Sequence, residues 1–121
     1  MKPRSAKNKG RRFENMVGQA IADAINEKYG RYEMVRNAGV QSGRDIICIG
    51  VAAEKYPFSV ECKCQERWDV PSYIAQAAKN CQPGQDYQIV IGKNRMDPHI
   101  IMRLDVWLDY WQQYYRFVWG I

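Results

Sequence analysis

The sequence predicts an α/β fold, a mixed sheet of about five strands flanked by helices, in the order helix, three strands, helix, two strands, helix. Three observations carry this. Residues 11–29 repeat apolar side chains at helical spacing, whereas residues 45–49 and 58–64 are short runs rich in strand formers. A second helical stretch then separates the strand at 58–64 from another at 87–91, and such a crossover makes part of the sheet parallel. With 121 residues the chain has room for one core and no more.

Residues 1–12 carry six basic groups, Lys2, Arg4, Lys7, Lys9, Arg11 and Arg12, and no acid. Residues 1–10 are expected to form a mobile phosphate-binding arm, and residues 11–121 the domain. In the helix at 11–29, Phe13, Val17, Ala20, Ile21, Ala24 and Ile25 mark the buried stripe, and Gly30 is a natural cap. At about 100° per residue, Glu14 lies within roughly 20° of Ile21 and Ile25. It is either an edge residue reaching solvent or an acid aimed at whatever the helix packs against.

A short strand is expected at 32–36, a loop at 37–44, a nearly continuous apolar strand at 45–49, a turn at 50–57 and a returning strand at 58–64. Residues 65–69 are polar and include Trp68, which would cover the site or touch a ligand. Pro71 suits the first turn of a helix reaching residue 81, with Ile74, Ala77 and Ala78 facing inward. Two strands follow at 87–91 and 99–102, joined by the basic turn Lys93-Asn94-Arg95. A last helix covers 105–115.

The chemistry concentrates in the hairpin. Glu61 and Lys63 stand two apart on one strand, so their side chains share a face. Asp45 begins the preceding strand, where the turn can bring it beside Glu61. Two carboxylates and an ammonium at one end of a hairpin suit a hard cation and phosphodiester chemistry. The net charge of +5 favours a polyanionic partner. No apolar run approaches the roughly 20 residues of a membrane span, and the first residues lack a signal-peptide core, so an intracellular protein with no membrane partner is expected. Cys48, Cys62, Cys64 and Cys81 form no CxxC pair and His99 is the single histidine, which argues for reduced thiols and against structural zinc.

Glu14, Asp45 within Ser42-Gly-Arg-Asp-Ile46, and Glu61-Cys-Lys63 together resemble the PD-(D/E)XK nuclease superfamily, and the chain is most similar to small archaeal-type and phage Holliday junction resolvases. Arg44 stands where the superfamily motif has proline. The resemblance implies a restriction-endonuclease-like fold and a DNA endonuclease dependent on Mg2+ or Mn2+, acting on branched DNA. It implies that Asp45, Glu61, the Cys62 carbonyl and Glu14 hold the metal, and that Lys63 orients or helps deprotonate the attacking water or offsets phosphoryl charge. Lys2, Arg4, Lys7, Lys9, Arg11, Arg12, Arg36, Ser42, Arg44, Gln65 and Gln76 are the expected DNA contacts. A prokaryotic cytoplasm, with a viral or mobile-element source, fits this picture. The competing readings are another nuclease of the superfamily, of replication-repair or restriction type, and a non-catalytic DNA-binding module with the same fold.

The C-terminal helix is unusually aromatic. Trp107, Tyr110, Trp111, Tyr114 and Val118 can form one stripe, and Tyr115, Phe117 and Trp119 exceed what that stripe can hide. A homodimer burying this region is expected.

Overall fold

The computed structural model describes residues 3–38 and 44–120, with side chains from Lys7 onward. Its elements run α1 (Pro3–Ile25), β1 (Val35–Asn37), β2 (Ile46–Cys48), α2 (Val51–Lys55), β3 (Phe58–Cys64), α3 (Val70–Asn80), β4 (Asp86–Gly92), β5 (His99–Ile101) and α4 (Leu104–Trp119). The five strands form one sheet in the order β1-β2-β3-β4-β5. β1, β2 and β3 are antiparallel neighbours, β3 and β4 pair in parallel from Phe58↔Asp86 to Cys64↔Gly92, and β5 returns antiparallel to β4. This is the mixed, helix-flanked α/β fold that the crossover pattern implies.

The two faces of the sheet follow from strand alternation. Phe58, Val60 and Cys62 on β3 and Val90 on β4 pack against Phe13, Val17, Ile21 and Ala22 of α1. Helix α4 meets the same face through Val106 and Tyr110, whose ring lies 5.1 Å from that of Phe58. On the opposite face, Ile89 and Ile91 are covered by Tyr73 and Ala77 of α3. Burying each such aliphatic or aromatic side chain contributes roughly 1.5–3 kcal/mol, so these two layers hold the sheet in place.

Several boundaries differ from the sequence expectation. Helix α1 starts at Pro3, so the basic segment expected as a separate arm is helical in its described residues, and the expected arm boundary falls inside a helix. It also ends at Ile25, well before Gly30. Asn26 adopts a left-handed φ of 58°, the Glu27 amide bonds the Ala22 carbonyl at 2.9 Å, and the Asn26 amide bonds that of Asp23. Those two bonds make a Schellman cap, with asparagine in place of the expected glycine. The turn at 50–57 contains α2, five residues that are too few to show a helical period, with Ala52 fully buried. On α3 the inward residues are Tyr73 and Ala77; Ile74 and Ala78 face solvent. The aromatic hydroxyl lets Tyr73 span from the core to the rim, which a purely apolar count overlooks.

Candidate active site

The site begins where β2 and β3 part. Their pairing is confined to Ile46↔Val60, and the Asp45 amide bonds the Val60 carbonyl at 3.0 Å. One step further, the backbone of β2 no longer supplies a partner, and the Asp45 side chain does. Its Oδ2 accepts the Cys62 amide at 2.6 Å. The carbonyl of a strand residue leaves on the same edge as its amide, so the Cys62 carbonyl faces this same opening. Glu61 and Lys63, of opposite parity to Cys62, point to the α3 side. Glu61 is only 3% exposed, and its Oε1 accepts the Asn80 side-chain amide at 3.3 Å. Lys63 Nζ lies 5.4 Å from the centroid of the Tyr73 ring.

Glu14 enters from α1. The preceding residue, Phe13, packs against Gly92 so tightly that a Cβ there would stand 2.5 Å from its ring. That close approach fixes the height of α1 over the sheet end. Glu14 Oε2 then accepts the Asn37 side-chain amide at 2.7 Å, tying the helix to the end of β1.

The three acids interact electrostatically around Asp45, whose charge acts on both Glu14 and Glu61. Burial pushes the Glu61 carboxyl up to about 7, reinforced by the Asp45 charge. Burial and then Asp45 also raise Glu14. Asp45 is itself raised by burial, against the opposing pull of the Cys62 amide and Lys63. Burial is the leading cause for all three, and the Asp45 charge adds to it for Glu14 and Glu61. Among the described residues, no group of three or more His, Cys, Asp or Glu side chains is drawn into a metal cage. The donor set still fits a hard divalent cation, because it is made of carboxylate oxygens and a backbone carbonyl beside one amine.

A family model described as "Phage putative PDDEXK endonuclease" matches residues 5–116. The chain belongs to that family. It is a PDDEXK-type endonuclease, as the Glu14, Asp45 and Glu61-Cys-Lys63 pattern implies. No curated protein and no solved structure matches the chain.

The remaining expected DNA contacts of this endonuclease are spread unevenly. Lys7, Arg11 and Arg12 are exposed on α1, the last two within a turn of Glu14. Lys9 is ion-paired with Glu66 at 3.0 Å, linking α1 to the segment after β3. Arg36 is half-buried on β1. Arg44 is half-buried too and donates to Gln85 Oε1 at 3.5 Å. Gln65 is exposed and accepts the Tyr73 hydroxyl. Gln76 is exposed on α3, and the helical amide that reaches Glu61 is Asn80, one turn beyond it. Lys2, Ser42 and the side chain of Arg4 lie outside the described residues.

Two residues of the candidate site escape sequence reasoning, Asn80 and Asn37. The first carries a faint signal, the i+4 spacing from Gln76 on the same helix. The second ends β1 level with Ile46, directly beside Asp45, but only the sheet register reveals that. The four cysteines are free thiols, Cys48 and Cys62 buried, and burial raises both. No helix among the described residues is long and apolar enough to cross a membrane.

Proposed function

We propose that the chain hydrolyses phosphodiester bonds of branched DNA, four-way junctions foremost, with Mg2+ or Mn2+ held by Asp45, Glu61 and the Cys62 carbonyl. The observation that carries this is the gathering of Glu14, Asp45 and Glu61 around one opening, with Lys63 on the strand that bears Glu61. When bound, such an ion lowers the pKa of water and offsets phosphoryl charge. Asp45 keeps the opening in shape by accepting the Cys62 amide. Asn80 and Asn37 hold Glu61 and Glu14 in single orientations through one hydrogen bond each. Lys63, whose charge is felt by both Asp45 and Glu61, would neutralise a scissile phosphate. Glu14 joins from the helix that also displays Arg11 and Arg12, so the surface that attracts the backbone leads to the carboxylates.

Support for a branched substrate comes from the likeness to junction resolvases and from the small basic domain. The test is a panel of equal-length four-way junction, flap, single-stranded and duplex DNA under one buffer. Faster cutting of the junction is expected. Equal rates on the duplex would remove the structural preference while leaving the nuclease.

A further inference from the structure

Helix α4 has two apolar faces, and the domain uses only the narrower one. Val106 and Tyr110 point to the sheet. Not one α4 residue is buried. At about 100° per residue, Leu104, Trp107, Leu108, Trp111, Tyr115 and Val118 fall on a single arc, and Tyr114 and Trp119 extend it to about 140° without a charge. Each of these eight is between 36% and 70% exposed. Side chains of this size bury roughly 150–250 Å² when aromatic, so the face offers on the order of 800 Å². That exceeds the roughly 300–600 Å² of an ordinary monomer's largest patch and equals what one partner contributes to a standard interface. The face is also preformed, since Trp111 stacks on Tyr115 at 5.3 Å and Tyr115 leans on Trp119.

From this we infer that α4 pairs antiparallel with α4 of a second copy of the chain, crossing at Trp111. The spacing 104, 108, 111, 115, 118 is the alternating four-three step of a two-helix seam. An antiparallel pair centred on Trp111 sets Leu104 against Val118 of the second copy, Leu108 against Tyr114, and Trp111 against itself. Charge decides the direction. Asp105 lies six residues before the crossing and Arg116 five after it, on the same flank of the seam, so each meets the other's counterpart across the pair. A parallel pair would set Asp105 level with Asp105 and Arg116 level with Arg116. Asp105 accepts Arg103 through both of its oxygens and the Val106 amide through Oδ1 within its own chain, and because that fork is exposed, Arg116 of the second copy would approach it from the solvent side. The inference is independent of the chemistry proposed above.

Sedimentation equilibrium of the full chain tests it. The chain should be a dimer that Trp111→Glu converts to monomer. Arg116→Asp, an exposed change that spares the core, should weaken association by about ten-fold, and Asp105→Arg in the same chain should restore it. Trp111→Cys should cross-link to itself under mild oxidation well above the parent chain, whereas Leu104→Cys should not. A chain that is monomeric at every concentration, a dimer indifferent to these α4 substitutions, or self-cross-linking of Leu104→Cys would overturn the pairing.

Discussion

The Asp45 carboxylate occupies the place of a backbone acceptor, taking the Cys62 amide at 2.6 Å where the β2–β3 ladder stops. One side chain therefore both closes the strand pair and opens the candidate site. Structure and chemistry are coupled at this residue, and the coupling can be separated by substitution.

Asn at position 45 keeps an oxygen for the Cys62 amide and loses the charge; Ala loses both. A buried donor left without its acceptor costs about 1–3 kcal/mol. Asp45→Asn should thus melt at or above the parent chain, because repulsion among the acids is relieved, while Asp45→Ala should melt well below Asp45→Asn. Thermal unfolding of the three metal-free proteins at neutral pH checks the order.

Glu61 links stability to pH. Its folded carboxyl is raised to about 7, mainly by burial, so the folded chain retains a proton that the unfolded chain gives up near the ordinary carboxylate value. A raised acid contributes full stability below the unfolded pKa and loses it as pH rises through the folded one. The metal-free protein should therefore weaken between about pH 5 and pH 8, by on the order of 2 kcal/mol from this group. Glu61→Gln should flatten that part of the curve, as read by denaturant unfolding at a series of pH values. An unchanged slope would show that Glu61 is not the group responsible.

The contact of Phe13 with Gly92 sets the seat of α1. A methyl at position 92 would sit 2.5 Å from the Phe13 ring, and overpacking of this kind typically costs about 1–3 kcal/mol. Gly92→Ala should lower the melting temperature, and cleavage should fall more than a simple loss of folded protein explains, because Glu14 moves with Phe13. Activity measured well below the melting transition separates the two effects.

Much of this is legible in the sequence, and the reasons are particular. Strand parity points to Glu61 and Lys63, the hairpin turn to Asp45, and the apolar edge of a periodic helix to Glu14. The parallel β3–β4 pair follows from a crossover helix, since no short turn can make one. What stays hidden depends on three-dimensional register or on elements too short to have a period. Asn37 gains its role only by lying opposite Ile46. Helix α2 has a single buried side chain, Ala52. The end of α1 is hard to place because asparagine at position 26 adopts the left-handed turn that Gly30 is better suited to supply.

Binding and cutting should separate by charge. Lys7 and Arg12 are exposed on α1. Replacing each by Ala should reduce the slope of log affinity against log salt by about one for each phosphate that the side chain neutralises. Fluorescence anisotropy in chelator, over a salt series, reads that slope; cleavage at saturating DNA should change little.

The most direct measurement is cleavage of a four-way junction by the parent chain and by Asp45→Asn, each with Mg2+, with Mn2+ and with chelator. Cutting by the parent is expected only when an ion is present, and none by Asp45→Asn although it still binds the junction. Undiminished cutting by Asp45→Asn, or by the parent chain in chelator, would contradict it.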